Sequence, residues 1–288
     1  NPKAFYAVAF LAVFALAAIS CIIFYPANIT SDGVDQWLQA TGALPLADAH
    51  PAIHTLFIRL CYIIYPNPVT MTIAQAAFLA AVVSAYLTLF YKRGVCMWLL
   101  LAGGSIFAIL PNTIAMITCT TKNTIFTILM MWVLYLLVIL FDSQGKAFRK
   151  LSFLFQMVIS VAFLYLIRHN TFVILPVVIG IFLYLTIKFF KNTGIRPVIC
   201  LVLSVLVIQG ITGPMYTAMG VTKFGSDPGP SRATIRPLVA PLAAALKFDV
   251  PLSEETEEYL ERIMPLEEFE KRYEPYNGDI MAFADPPM

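Results

Sequence analysis

Three carboxylates, three histidines and two isolated cations stand out in this chain because almost everything around them is apolar. Asp32, Asp35, Gln36 and Gln39 fall at i, i+3, i+4 and i+7, one face of a helix, with Val34, Trp37 and Leu38 on the other. A carboxylate partly desolvated at a bilayer surface would have its pKa raised towards the range useful to a general base. Asp32 with Asp35 could equally be an N-cap and a first-turn acid. In Asp48-Ala49-His50-Pro51-Ala52-Ile53-His54 the two histidines are four apart and could share a helix face. With Asp48 they could hold a divalent metal, or form hydrogen bonds only. Lys122 follows Thr120-Thr121 and precedes Asn123, and Arg168-His169-Asn170 links two apolar stretches. Such cations could clamp a phosphate or diphosphate, Arg by a bidentate fork, or could snorkel and cap helix ends. The candidate catalytic residues are Asp32 and Asp35; the candidate binding residues are Gln36, His50, His54, Lys122, Arg168, His169 and Asn170.

The elements that position these groups follow from composition. Hydrophobic residues make up 59% of the 288 and charged residues 12%. A soluble domain carries about 25% charged residues, so too little polar surface remains here to coat a water-soluble globule. Mean hydropathy is +0.79. An apolar helix needs roughly 17–25 residues to cross a bilayer. Seven stretches meet that requirement: about 4–25, 69–91, 95–111, 123–141, 151–167, 171–190 and 197–213. The pattern predicts an all-α polytopic bundle of about seven spans. Five cysteines lie in or beside apolar runs with no paired spacing, so they read as packing residues.

Orientation follows from the short loops. Lys3, Lys92, Arg93, Lys146, Arg149, Lys150, Lys188, Lys191 and Arg196 fall on one side, against Arg59, Lys122 and Arg168 on the other. The richer side is expected to be cytoplasmic, which places loop 26–68 and the tail outside a cell membrane. All the residues that could do chemistry then gather at one interface. Loop 26–68 should contain two helices lying in the interface plane, the second with Leu56, Phe57, Leu60, Ile63 and Ile64 on its apolar face.

Domain organisation is expected as a bundle over 1–213 and a small extracytoplasmic helical segment over 214–288. The first part holds 12 Lys/Arg and 4 Asp/Glu, the second 7 and 13. Ser253 followed by Glu254 and Glu255 predicts a capped helix running to about Met264, and Pro265 opens another.

A resemblance accompanies these residues. Tyr25-Pro26, Ser31-Asp32-Gly33-Val34-Asp35-Gln36-Trp37, Gly42, Asp48-Ala49-His50-Pro51 and His54-Thr55 resemble the first outer loop of an uncharacterised family of bacterial multi-span membrane proteins similar to GT-C type glycosyltransferases. Lys122-Asn123, Arg168-His169-Asn170, Arg236-Pro237-Leu238 and Tyr273-Glu274-Pro275-Tyr276 with Asp279 resemble the same group. Asn123 stands where an Asp is expected, and Val239-Ala240-Pro241 where Gln residues are. The resemblance implies a GT-C-like fold with further spans beyond the tail. It also implies a polyprenyl-phosphate sugar donor and a cell-envelope glycan or lipid acceptor, with no nucleic acid. Asp32 would be the base, Lys122 and Arg168 would hold the donor phosphate, and His50 and His54 would orient it or bind a metal. No cofactor is certain; a divalent metal is the candidate. The competing readings are a transporter or flippase of lipid-linked precursors, and a metal-dependent hydrolase built on Asp48, His50 and His54.

Overall fold

A computed structural model describes residues 1–168, 175–223, 241–262 and 265–273. Long apolar runs between the prolines and glycines give helices over most of the described residues. In chain order they are α1 (Pro2–Ile23), α2 (Ser31–Thr41), α3 (Ala52–Ile64), α4 (Val69–Lys92), α5 (Met97–Ile109), α6 (Pro111–Thr118), α7 (Lys122–Asp142), α8 (Leu151–Leu166), α9 (Leu175–Lys188), the single turn α10 (Phe190–Thr193) and α11 (Arg196–Gly210). No strand forms among the described residues. Two isolated parallel bridges, Asn28 with Cys119 and Ala47 with Thr222, are the only extended pairings there.

Four helices are long and apolar enough to cross a membrane: α1, α4, α7 and Arg196–Ala218. The pair α5 and α6, bent by 58°, would make a fifth. The bend has a local cause. Proline clashes with a helical residue before it, so Leu110 is extended (φ −58°, ψ 136°) and Pro111 opens a new helix at its first turn. The expected span 95–111 is thus half of a broken pair. The expected spans 151–167 and 171–190 are apolar helices of 16 and 14 residues as described, so the seven-span expectation is met here only as four or five.

Bundle packing relies on small residues. Ala9 and Ala17 of α1 and Ala76 and Ala80 of α4 are fully buried, which lets two backbones approach closely, as in membrane helix pairs. A second core joins Leu136 and Leu140 of α7, Met157 of α8, Phe182 and Leu185 of α9 and Cys200 of α11. There Ser204 Oγ hydrogen-bonds Val158 O at 3.2 Å, one helix to the next. Past Gly210, α11 accommodates Pro214 through a π-turn over Ile211–Met215 and continues to Ala218, since a wider turn absorbs the missing donor.

The chain divides into two compact units, Asn1–Thr222 and Lys223–Met288. In the second, 241–247 is helical from Pro241 onward. Ser253 caps Glu254–Glu261 by accepting from Thr256 N, with three glutamates in the first turn. Pro265 precedes Leu266–Arg272. Ala243, Leu260 and Phe269 form the core of this unit.

Candidate functional site

Loop 24–51 is anchored before it is helical. Asn28 N donates to Thr118 O at 2.9 Å and Thr120 N donates to Asn28 O at 3.0 Å. Asn28 Nδ2 adds a bond to Thr118 Oγ1 at 3.0 Å. Thr30 then caps α2 by accepting from Gly33 N, and Gly42 in the left-handed conformation (φ 86°) closes it. Gly33 is the point of closest approach. A Cβ there would lie 2.5 Å from Thr120 Oγ1 and 3.0 Å from Thr120 O. Only glycine lets α2 sit this low on the residues that lead into α7.

This docking fixes the ion cluster. Lys122, the first residue of α7, donates to Asp32 Oδ2 at 2.8 Å and lies 3.1 Å from His50 Nδ1. His50 Nδ1 is 3.7 Å from Asp32 Oδ2, and its Nε2 is 3.9 Å from Asp35 Oδ2. A charged lysine can only donate, so His50 accepts at Nδ1 and carries its proton at Nε2, towards Asp35. Side-chain exposure is 18% for Lys122, 23% for His50 and 51% for Asp32, so the carboxylate faces out over a half-buried cation. Burial works to raise the Asp32 pKa, but the hydrogen bond and charge of Lys122, with His50, outweigh it and hold the carboxyl below its ordinary value. The expectation of a raised pKa is therefore reversed: burial alone would raise it, and a paired ammonium wins.

Gln36 and His54, expected to bind substrate, lie between α2 and α3. Both are buried. Gln36 Nε2 donates to Thr55 Oγ1 at 3.1 Å, and its Oε1 is 2.9 Å from His54 Nδ1. An amide oxygen only accepts, so His54 is protonated at Nδ1. Its Nε2 has no hydrogen-bond partner. Burial first, then the charge of Lys122 and, when it is protonated, that of His50, push the His54 pKa down to about 3. The covered imidazole ties α3 to α2 through Gln36, and so helps to set where Asp32 and Asp35 lie.

The expected metal set separates for the same reason. Asp48 Oδ1 accepts from Ala52 N at 2.7 Å at the start of α3, His54 is turned inward, and His50 faces Lys122. Among the described residues no group of three His, Cys, Asp or Glu side chains is placed to hold a metal ion. Asp48 instead anchors its loop, its N–H donating to Thr222 O at 2.8 Å.

Arg168 lies with Cζ 5.2 Å from the Phe126 ring centroid. Phe126 is one helical turn after Lys122, so the two cations occupy the same end of α7. His169 and Asn170 lie outside the described residues. Beside this end opens a cavity of about 870 Å³ between α3, α4, α7 and α8. Ile53, Ile125 and Ile167, each within three residues of His50, Lys122 or Arg168, line it, as do Tyr6, Thr88 and Tyr135. Ile125 and Tyr135 are ten residues apart on α7, so the groove runs about 15 Å along that helix. Sequence reasoning missed it, and missed Tyr216, whose hydroxyl accepts from Ile53 N at 3.1 Å across 163 residues.

The model of a family described as "Family of unknown function (DUF6020)" matches residues 45–282. The chain belongs to this family. No curated protein and no solved structure matches it. The matched stretch takes in Asp48, His50, His54, Lys122 and Arg168, while Asp32 and Asp35 precede it. The cluster described above therefore joins residues of the family region to a helix outside it.

Proposed function

We propose that the chain is a GT-C-like membrane glycosyltransferase that moves a sugar from a polyprenyl-phosphate donor to a cell-envelope glycan or lipid acceptor. The observation that carries this reading is the Asp32–Lys122–His50 cluster beside the end of a long apolar groove. An amphiphile with an anionic head and an apolar tail matches both features at once. The tail lies between Ile125 and Tyr135, and the phosphate meets Lys122 and Arg168.

In the resting protein Lys122 is committed to Asp32. A donor phosphate competes for that ammonium, and the exchange leaves Asp32 without the hydrogen bond that holds its pKa down. The freed carboxylate takes the proton of the acceptor hydroxyl as that oxygen attacks the anomeric carbon. The bond from that carbon to the phosphate oxygen breaks, and polyprenyl phosphate leaves with Lys122 and Arg168 neutralising its charge. Asp35, the other candidate base, holds the Nε2–H side of His50. The Lys/Arg asymmetry of the short loops supports a cytoplasmic-membrane location with loop 26–68 outside.

The test is to incubate the purified protein with a panel of polyprenyl-phosphate sugars and compare wild type, Asp32→Asn and Asp35→Asn. Consumption of one donor, falling about 10²–10⁴-fold in Asp32→Asn, is the expected result. Donor left intact by wild type, or undiminished turnover by Asp32→Asn, defeats the assignment. A transporter of lipid-linked precursors is the second reading, favoured by the break between α5 and α6. It predicts donor movement across vesicles without any change in the donor.

A further inference from the structure

The far end of α7 carries a different charge arrangement, independent of the reading above. From Ser143 to Ser226 there is no Asp or Glu. Asp142, the last residue of α7, is paired with Arg93. Beyond it come Lys146, Arg149, Lys150, Lys188, Lys191 and Arg196, all exposed.

These cations are gathered by built contacts and not merely by proximity in sequence. Arg149 Nη2 donates to Lys191 O at 3.4 Å and to Asn192 Oδ1 at 3.2 Å, and its Nε donates to Asn192 O at 3.3 Å. Asn192 Nδ2 returns a bond to Gln144 O at 2.8 Å. Gly145, at φ 83°, is packed so closely that a Cβ would meet Thr193 Cγ2 at 2.6 Å. The connection after α7 and the turn α10 are thereby clamped together, although more than forty residues separate them. Lys188 is spent on its neighbours: its Nζ donates to Tyr184 Oη at 2.8 Å and lies 4.9 Å from the Phe141 ring centroid. Lys146, Lys150, Lys191 and Arg196 keep their charges turned outward on this clamp.

The same rim exposes large apolar side chains. Leu151 and Ile187 are each 80% exposed, with Phe190 at 58% and Ile195 at 64%. Exposed apolar side chains interleaved with unbalanced cations suit a boundary where acyl chains meet anionic headgroups. A water-facing protein partner would more simply meet a polar rim. We propose that the clamp formed by residues 144–150 and 189–196 binds the phosphate headgroup of an acidic phospholipid from the surrounding leaflet. Lys146, Lys150 and Lys191 contact the phosphate, Arg149 holds the clamp, and Leu151 and Phe190 lie against the acyl chains.

The experiment is native mass spectrometry of the full chain in detergent, titrated with phosphatidylglycerol or phosphatidylcholine. Wild type is compared with Lys146→Gln/Lys150→Gln/Lys191→Gln and with a charge control, Lys247→Gln/Lys271→Gln, in the second unit. Phosphatidylglycerol adducts should exceed phosphatidylcholine adducts in wild type and the control. In the triple variant they should weaken by roughly fivefold per lysine removed. Unchanged thermal unfolding of the lipid-free triple variant would show that the fold is intact. Equal retention of the two lipids, or triple-variant binding like wild type, overturns the proposal. Displacement of the lipid by inorganic phosphate at matched concentration also overturns it, because the site would then take free phosphate.

Discussion

The two ends of α7 carry similar positive charge and opposite chemistry. At Lys122 the ammonium is half-buried and meets Asp32 at 2.8 Å. Around Lys146–Lys150, with Lys191, no carboxylate follows Asp142 for more than eighty residues. A paired cation is a switch, because whatever takes the lysine also releases a carboxylate. An unbalanced cluster has nothing to release and can only attract. The first arrangement suits a reaction, the second a resting place on an anionic surface.

The strongest way to break this contrast is to remove the switch. Lys122→Gln deletes the cation that holds the Asp32 carboxyl down and the proposed phosphate partner together. Transfer activity should fall about 10- to 100-fold, the value of one charge-assisted hydrogen bond. The acid limb of the pH profile should move to higher pH, since burial is then the dominant influence on Asp32. Steady-state kinetics across pH reads both. An unmoved acid limb would mean that Asp32 is not the group being titrated. Lys150→Gln, at the other end, should leave the profile where it is.

Gly33→Ala attacks the geometry without touching a charge. The added Cβ would press on Thr120 Oγ1 at 2.5 Å, so α2 must lift from the residues before α7. Overpacking of this kind costs about 1–3 kcal/mol. A lower unfolding midpoint together with reduced activity is expected. A variant as stable and as active as wild type would show that the close approach is not required.

His54 gives a sharper stability signature. Its pKa is about 3 when folded against an ordinary 6.5, so below pH 6.5 the unfolded chain takes up a proton that the folded one refuses. Its contribution is complete above pH 6.5 and is lost as pH falls towards 3, at about 1.4 kcal/mol per unit. At pH 5 the loss is about 2 kcal/mol. Asp32, with its carboxyl already below the ordinary value of 3.8, adds its own loss only below that pH. Unfolding midpoints between pH 7 and 5 should fall for wild type and flatten in His54→Gln. A flat wild-type series would place His54 in contact with water.

How much of this was legible beforehand depends on what each residue contrasts with. Asp32, His50 and Lys122 are polar in apolar surroundings, so their types alone drew attention; that they meet depends on Asn28 and Gly33, which carry no such contrast. Helical spacing puts Gln36 on one face with Asp32 but cannot tell a wet face from a buried one. Here Gln36 bonds Thr55 and His54, and Gln39 Oε1 accepts from Ala47 N at 3.0 Å, so part of that face turns inward. Pro111 marked the end of a span but not the second helix that follows it. The groove was invisible for a physical reason: Phe78, Ile125 and Leu129 are the same residue types that the helices expose elsewhere.

The smallest expected effect tests whether the bundle between these two ends is itself held by polar contacts. Ser204 is buried on α11, and its hydroxyl reaches Val158 O on α8 at 3.2 Å while also bonding Cys200 O at 2.8 Å within its own helix. Deleting it in Ser204→Ala removes one interhelical hydrogen bond and leaves Val158 O with its own helical partner. In membrane bundles such bonds are worth about 0.6 kcal/mol, because the unfolded helices also find partners. The intrahelical bond lowers the expectation further, since Ser204 is satisfied without its neighbour. The unfolding midpoint in Ser204→Ala should therefore move by a degree or less, roughly, while activity and lipid binding stay unchanged. A larger loss would mean that α8 and α11 are joined by that hydroxyl, and that small-residue packing around Cys200 contributes less than its complete burial suggests.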